Sequence, residues 1–427
     1  MNSRLGRWSA GLLIAALATV PGTLCARTAA EKPAVRDVER AQFPAPEASL
    51  EKLKRTADLG GQRRHLWHVL GELTRSHRPS RLPQFLTWSG AKDVFAITSA
   101  APLATRNPLR AFKVEESAAA RAAHSSGPPL IVVAHYNEAA ARHVRANALQ
   151  RRATLQSMTV SRKGGKQDTV SREVPTFPRS AIVLKSAWWP VAGDAPVAMP
   201  VWDAELHIAA AGGNDYPSWR RMVAVCPTHG APRTVEVQLM GRTRRLNCVG
   251  IDRFYHLRLD AAMVAQLRNE PTARKLAAMV LGRGFRTGDH LALVALHVAT
   301  RELPDWVWGT LWWHDSAMSG PFAADRPKNL GDPWSNYLMN VAFDAVHPRE
   351  RDGSPRVVFN PWLEARFADS GQGSGMVSNC ISCHQRATYP AIGPFEVTRG
   401  ARKNAQAAGT IASVETSSLW SLPLQAH

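Results

Sequence analysis

The chain has 427 residues, 45% of them hydrophobic and 20% charged, with a formal net charge of +19 at pH 7. This length is sufficient for two or three domains with substantial hydrophobic cores. Downstream of residue 30, no segment is apolar over the roughly twenty residues that a membrane-spanning helix needs, so we expect no transmembrane segment. There is also no internal repeat, no Gly-rich phosphate loop, no GxSxG elbow and no HExxH motif, which excludes several common enzyme classes.

The first thirty residues have the layout of a secretory signal peptide. Arg4 and Arg7 form a positive N-terminal region, residues 8–20 form a short apolar run, and small residues follow up to Ala26 or Ala30. The apolar run is too short to span a bilayer. We therefore predict that residues 1–30 are removed on export and that the mature protein is periplasmic.

Export changes the interpretation of the positive charge. In a cytosolic protein, a net charge of +19 would suggest nucleic acid as the partner. Behind a signal peptide, we expect no nucleic acid, and the candidate partners are acidic redox proteins, acidic polymers and anionic lipid surfaces contacted peripherally. The alternative is that the charge serves solubility alone.

Residues 31–60 are rich in Ala, Glu, Pro and Lys and show no clear core periodicity, which predicts a linker or a loosely held arm. The next segment, residues 65–73, has apolar residues on one helical face. His65 and His68 lie one helical turn apart there. No third ligand completes a metal set, so we interpret them as surface histidines.

The centre of the chain is predicted to be rich in β-structure, with a few helices. Residues 131–134 indicate a buried strand, and Asn137 is a plausible N-cap for a helix over residues 137–150. Short runs with β-branched or aromatic residues follow at residues 181–189, 222–226, 234–240 and 254–259. A helical region over residues 261–281 is interrupted at Pro271, and the apolar run 291–300 suits a strand buried on both faces.

Cys226 and Cys248 are separated by a short loop and can form a disulfide in an oxidising compartment. Closing that loop would stabilise the fold by about 3 kcal/mol. A metal site that also used His229 is the alternative, but only three ligands are in view.

A Trp-rich segment runs from Trp306 to His314. At the period of a strand, Trp306, Trp308, Thr310, Trp312 and His314 share one face. Such a face could fill the core of a sheet, contact a cofactor or bind a sugar ring. Core packing is the simplest of these interpretations.

The most specific motif is Cys380-Ile381-Ser382-Cys383-His384, which reads as a c-type haem attachment site. The spacing presents Cys380 and Cys383 along one edge of the porphyrin, where each thiol adds to a vinyl group. His384 then supplies an imidazole as the proximal iron ligand. A redox dithiol or half of a zinc site are the alternatives, and neither requires the adjacent histidine.

These five residues resemble the attachment motif of single-haem c-type cytochromes. The resemblance implies one covalent haem c and electron transfer through its iron. The longer run 306–390, which contains Trp312-Trp313, Asn360-Pro361-Trp362-Leu363-Glu364 and Ser378-Asn379-Cys380, is similar to large uncharacterised bacterial secreted proteins that end in one such motif. Small cytochromes of this class usually take a distal Met downstream of the motif, whereas no Met follows His384 here.

The sequence therefore does not identify the sixth iron ligand. His314, Met318 and Met339 are the upstream candidates. Ligation by one of them would give a low-spin electron carrier. If none of them binds the iron, a site stays open for oxygen, peroxide or a small gas.

We thus expect an α+β protein with a β-rich central region and a C-terminal haem site that is mostly irregular or helical. The predicted organisation is a signal peptide at 1–30, an arm at 31–60, an α+β domain with Trp-rich strands at 61–330 and a haem region at 331–427. The predicted function is one-electron transfer to an unidentified redox partner protein. A haem enzyme or gas sensor with five-coordinate iron, and a ligand-binding protein with an accessory haem, are the alternatives.

Overall fold

The structure, a computed structural model, describes residues 42–78, 80–97, 129–159, 172–203, 216–228, 233–239, 242–328, 330–364, 379–390 and 413–427. The predicted signal peptide at 1–30 and nearly all of the predicted loop at 161–172 lie outside the described residues. The described residues belong to one compact unit. Its main sheet continues across the predicted domain boundary at residue 330.

The protein combines helices and sheets, as the sequence predicts for a mixed fold. The helices are α1 (Glu47–Arg55), α2 (Leu59–Thr74), α3 (Ala91–Val94), α4 (Glu138–Ala146), α5 (Arg152–Met158), α6 (Ala261–Arg268), α7 (Pro271–Leu281), α8 (Pro361–Glu364), α9 (Cys380–His384) and α10 (Ser421–Gln425). Among the described helices, none has both the length and the apolar character needed to cross a bilayer.

The strands are β1 (Ser89–Gly90), β2 (Ile131–Tyr136), β3 (Arg172–Glu173), β4 (Ile182–Val191), β5 (Val197–Val201), β6 (Arg221–Cys226), β7 (Thr234–Leu239), β8 (Arg242–Gly250), β9 (His256–Arg258), β10 (His290–Thr300), β11 (Val307–Trp313), β12 (Tyr337–Ala342), β13 (Thr388–Tyr389) and β14 (Val414–Glu415). The predictions of a buried strand near residue 131 and of a fully buried strand near 291–300 are both confirmed.

The main sheet is antiparallel, with the strand order β1-β2-β4-β10-β11-β12, and β9 pairs with the start of β10. Every residue of β10 and β11 is buried. The register of β10 against β4 shifts between Leu293 and Ala295, which marks a β-bulge at Val294. These two fully buried strands form the centre of the described fold.

The N-terminal helices cover one face of the sheet, which corrects the prediction of a loose arm over residues 31–60. Within the described part of that range, α1 is a regular helix, and its Leu50 is only 2% exposed. The buried carboxylate of Glu302 accepts hydrogen bonds from the Ala45 N–H at 2.8 Å and from the Thr300 hydroxyl at 2.7 Å, and it lies 2.9 Å from His65 Nε2. His65 is therefore an internal partner of Glu302, and not the surface histidine that the sequence suggested.

Local signals in the sequence set several helix boundaries. The Asn137 side chain caps α4 by accepting from the Ala140 N–H at 3.0 Å, as predicted. Pro271 begins α7, where its missing N–H leaves no helical bond unmade. The predicted helical region 261–281 is thus two helices.

A smaller sheet with the order β5-β6-β8-β7 carries the predicted disulfide. Cys226 at the end of β6 is bonded to Cys248 on the adjacent strand β8. His229, the third member of the alternative metal set, lies outside the described residues. The other end of β8 presents three exposed arginines, Arg242, Arg244 and Arg245.

The C-terminal tail returns to the body of the protein. Leu419 and Leu422 are buried, and β14 pairs with β13 and β3. The backbone of His427 exchanges hydrogen bonds with Gln150 and Arg152, beside α5. This return brings the Ser418 carbonyl next to the CxxCH helix.

Candidate functional site

The Cys380–His384 segment is a single helical turn, and hydrogen bonds join its first residues to neighbouring segments. The Asn379 Oδ1 caps the turn by accepting from the Ile381 N–H at 3.0 Å. The Asn379 Nδ2 donates to the carbonyls of Asp344 and Arg356, both at 3.3 Å. The Cys380 N–H donates to the Val358 carbonyl at 3.1 Å. Both the position and the direction of the turn are therefore determined by neighbouring backbone.

Both cysteines of the turn are free thiols. Because Cys380 and Cys383 are three residues apart, they lie on the same face of the helix. The Cys380 Sγ lies 3.3 Å from the Val358 carbonyl oxygen, to which it donates a hydrogen bond. Burial raises the pKa of Cys383 to about 12 and that of Cys380 well above its ordinary value. Both thiols are thus neutral at physiological pH, unlike the reactive thiolate of a redox dithiol.

The imidazole of His384 is held by the C-terminal tail. Its Nδ1 lies 2.8 Å from the Ser418 carbonyl oxygen. A carbonyl oxygen only accepts, so Nδ1 carries the proton, and Nε2 keeps its lone pair. Burial lowers the pKa of this histidine to about 3, which keeps the ring neutral. His384 is therefore a neutral imidazole with its lone pair on Nε2.

The turn faces the main sheet. His297 on β10 is paired with Thr310 on β11 and with Lys185 on β4. Cross-strand partners lie on the same face of a sheet, and Trp308 shares that face because it is two residues from Thr310. The Trp308 indole packs on His384 with ring centroids 3.9 Å apart. This sheet face and α9 together form the candidate site.

His297 is the imidazole that the structure brings beside His384. The two ring centroids are 5.9 Å apart, and the ring planes differ by only 23°. His297 is 6% exposed, and neither of its ring nitrogens has a hydrogen-bond partner. Burial, with smaller contributions from His384 and Lys185, holds the pKa of His297 well below its ordinary value.

Helix α8 adds a carboxylate to the same place. The Glu364 Oε2 accepts from the Asn360 N–H at 2.6 Å, and its Oε1 lies 3.7 Å from His297 Nδ1. Burial raises the pKa of Glu364 to about 7. One ligand atom from each of His297, Glu364 and Cys380 falls within 4.8 Å of the others, close enough to hold a metal ion.

Asn360 fixes α8 to the sheet through its side-chain amide. Its Nδ2 donates to the carbonyls of Leu296 and Leu311 and to the Thr310 hydroxyl. Its Oδ1 accepts from the N–H groups of Trp362 and Leu363 at the start of the helix. The position of Glu364 is therefore determined from the centre of the sheet.

The structure brings together Cys380, Cys383 and His384, but it does not bring the predicted distal candidates to them. Met318 is 79% exposed. Met339 is paired with Leu311 and thus lies on the opposite sheet face from Thr310. His314 is six residues beyond Trp308, about 20 Å along an extended chain, and its Nδ1 accepts from the Ser316 N–H.

The Trp-rich segment is core, and its Trp308 contacts both His384 and His297 of the site. Its strand covers Val307–Trp313, so Trp306 and His314 lie just outside the regular alternation. Trp306 has a φ of 62°, in the left-handed region, where the chain turns into the strand. Trp306, Trp308 and Trp312 are each at most 2% exposed, which agrees with core packing and argues against the alternative of a sugar-binding face.

We compared the chain with family models, with curated proteins and with solved structures, and none of them matches it. Its function is therefore inferred from the chemistry of its own residues.

Proposed function

We propose that the chain is an exported c-type cytochrome with one haem, attached through thioether bonds to Cys380 and Cys383 and ligated by His384. When bound, the haem iron would supply one-electron transfer. The observation that carries the proposal is the turn Cys380–His384 itself, which combines two free thiols on one face with an imidazole whose Nε2 is left available.

The hydrogen bond from His384 to Ser418 supports this assignment. A metal-bound imidazole usually donates its other N–H to a carbonyl or a carboxylate, which sets the tautomer and the ring orientation. His384 makes that bond at 2.8 Å, to the carbonyl oxygen of Ser418. The ring is thus preorganised to bind iron.

The state of the thiols also favours haem attachment over a redox dithiol. A dithiol redox centre depends on a cysteine pKa lowered toward neutrality. Here burial raises the pKa of both thiols, and Cys380 is already committed to a hydrogen bond with Val358. Thioether attachment leaves both sulfurs uncharged, which suits this buried place.

The surroundings of His384 suit an electron carrier. Trp308 packs on its ring, and the sheet behind it is buried throughout. Burial and axial ligation are the main ways in which a protein sets the potential of a haem, and a rigid frame limits the rearrangement that accompanies electron transfer.

The proposed location is the periplasm. The N-terminal pattern of residues 1–30 is that of a signal peptide, and the Cys226–Cys248 disulfide is of the kind that persists in oxidising compartments. The proposed partner is an acidic redox protein. Exposed arginines at 242, 244 and 245 offer a positive surface for such a partner or for an anionic membrane surface.

A non-haem metal centre is the second candidate, because His297, Glu364 and Cys380 can be ligated together. Zinc would take Cys380 as a thiolate, together with an imidazole and a carboxylate. The two candidates differ in the chemistry of Cys380, which is a thioether in one and a metal ligand in the other.

The deciding experiment is expression of the full chain in a bacterium that carries the c-type maturation machinery. We expect the purified protein to have the mass of the mature chain plus one haem, retained after denaturation, and a sharp reduced α-band. Cys380→Ser with Cys383→Ser should abolish covalent haem. The paired control Cys226→Ser with Cys248→Ser should keep it. A colourless protein with the bare chain mass would overturn the proposal, and bound zinc in elemental analysis would favour the second candidate.

A further inference from the structure

We infer that, before haem is attached, Cys380, His297 and Glu364 bind one divalent cation of the zinc type, and that this ion competes with haem for Cys380. A metal at this place is then not a replacement for haem, as in the second candidate function, but an earlier occupant of the same chain. The metal site is independent of the proposed function, and only the competition rests on it.

Three separate elements bring the ligands together. His297 lies on β10, Glu364 on α8 and Cys380 on α9, and one ligand atom from each falls within 4.8 Å of the others. His297 Nδ1 and Glu364 Oε1 are 3.7 Å apart. Two ligands of a tetrahedral zinc ion, with bonds of about 2 Å, are separated by roughly 3.3 Å. A small inward movement of the side chains would therefore bring all three to bonding distance.

The ring of His297 is the observation that points to a ligand. It is only 6% exposed, and neither of its nitrogens has a hydrogen-bond partner among the described residues. Buried polar groups seldom lack a partner without a role, and neutral imidazole is a common metal ligand. Trp308 packs on His297 with ring centroids 5.5 Å apart and on His384 at 3.9 Å. The space beside His297 therefore suits a single ion.

The other two ligands are oriented by hydrogen bonds to the backbone. The Glu364 Oε2 accepts from the Asn360 N–H at 2.6 Å, which turns Oε1 toward His297. The Cys380 N–H donates to the Val358 carbonyl at 3.1 Å, which fixes the start of α9. Outer bonds of this kind hold metal ligands in place and sustain the affinity of a site.

The charges of the ligand set select the ion. Cysteine binds a metal as thiolate and glutamate as carboxylate, so a divalent ion cancels both charges and offsets the cost of burying them. A set of sulfur, nitrogen and oxygen suits zinc, whereas magnesium and calcium prefer oxygen ligands. Binding releases the thiol proton of Cys380 to solvent. Its sulfur then bonds to the metal and cannot add to a vinyl group of haem until the ion leaves.

Cobalt titration of the haem-free chain tests the site. The full chain is exported in a bacterium without the c-type maturation machinery, its two free thiols are verified by a thiol assay, and Co²⁺ is added. We expect one ion per chain, the visible bands of tetrahedral cobalt and a near-ultraviolet charge-transfer band with the intensity of a single thiolate. Added Zn²⁺ should displace the cobalt. An absence of cobalt binding, or the intensity of two thiolates, would overturn the inference.

Five variants identify the ligands. Cys380→Ser should abolish the charge-transfer band, and Cys383→Ser, which cannot form a disulfide with Cys380, should keep it. His297→Gln and Glu364→Gln preserve most of the core volume, and each should weaken zinc binding by at least about tenfold. His314→Ala removes another buried imidazole and is the matched control, with unchanged affinity. Loss of the band in Cys383→Ser, or equal weakening in His314→Ala, would refute this ligand set.

The yield of covalent haem measures the competition. In a maturation-competent bacterium, added zinc should lower the fraction of wild-type chain that carries covalent haem. Glu364→Gln should be less sensitive, because it binds the metal weakly and retains both thiols. Equal sensitivity of the two proteins would overturn the competition. Absence of covalent haem at every zinc concentration would overturn the proposed function and leave the metal site, as measured with cobalt, intact.

Discussion

The imidazole of His384 packs on the indole of Trp308, with ring centroids 3.9 Å apart and planes inclined by 36°. The Trp308 Nε1–H donates to the Asp305 carbonyl at 3.0 Å, which fixes the indole from the other end. The last residue of the CxxCH motif is thereby held against a buried sheet. The contact joins the strand β11 to the helix α9, which are far apart in sequence.

Replacing Trp308 by Ala should therefore affect both stability and the site. Removal of a buried indole is expected to lower the free energy of unfolding by about 3–5 kcal/mol. It also frees one face of His384, so we expect a lower yield of attached haem and a shifted reduction potential. Denaturant unfolding and potentiometric titration measure the two effects.

Trp312→Ala is the matched control for that prediction. Trp312 is also buried in β11, at 2% exposure, but its ring packs on Phe322. A comparable loss of stability with an unchanged haem spectrum and potential is expected. Equal spectral effects in the two variants would contradict a specific role for Trp308.

Asn360→Ala should be strongly destabilising and should displace Glu364. The substitution removes three donated and two accepted hydrogen bonds inside the core. We expect it to lower the free energy of unfolding by about 3 kcal/mol. Asn360→Asp preserves shape but directs a carboxylate oxygen at the Leu296 and Leu311 carbonyls. It should be at least as damaging as the alanine variant in urea unfolding. A mild effect of the aspartate would show that these donated bonds contribute little.

Gly309 is required by the close approach of α2. A Cβ at this position would lie 2.0 Å from Leu66 Cδ2. Gly309→Ala should therefore lower the free energy of unfolding by about 1–3 kcal/mol through overpacking. Combining it with Leu66→Val should recover part of that loss, a coupling that a double-mutant cycle of unfolding measurements detects. Strictly additive effects would place the strain elsewhere.

His135 should make the protein sensitive to acid. Burial in β2 lowers its pKa from 6.5 to about 3, and its Nε2 lies 3.1 Å from the Ser186 hydroxyl. Between those two values the unfolded chain binds a proton that the folded protein excludes. The contribution of His135 to the free energy of unfolding is thus fully present above about pH 6.5. It falls by on the order of 4 kcal/mol as the pH decreases toward 3.

His135→Gln keeps a polar contact to Ser186 but cannot titrate. Urea unfolding of both proteins, prepared in the same way, at about pH 7 and about pH 4, isolates the effect of this residue from that of the other buried histidines. The difference in stability between the two pH values should shrink in the variant. An unchanged difference would mean that His135 binds a proton in the folded protein as readily as in the unfolded chain.

Much of the secondary structure could be predicted because its signals are local. Asn137 caps its helix, Pro271 divides the helical region around it, and the mostly apolar run at 291–300 forms a strand buried on both faces. The arm predicted over residues 31–60 was wrong in its described part, because α1 buries a single apolar residue, Leu50, and one residue gives no periodicity.

The chemistry of the candidate site divides in the same way. The sequence by itself determined the pair of thiols and the adjacent imidazole, since they lie within five consecutive residues and one helical turn presents them together. Only the tertiary structure decided what faces them. His297 reads as one more residue of an apolar strand until β10 is paired with β4 and β11 around the bulge at Val294, and Glu364 joins it because Asn360 fixes α8 to those strands. Contacts of this kind depend on strand register and on the return of the chain over long separations, which no local pattern of residues encodes.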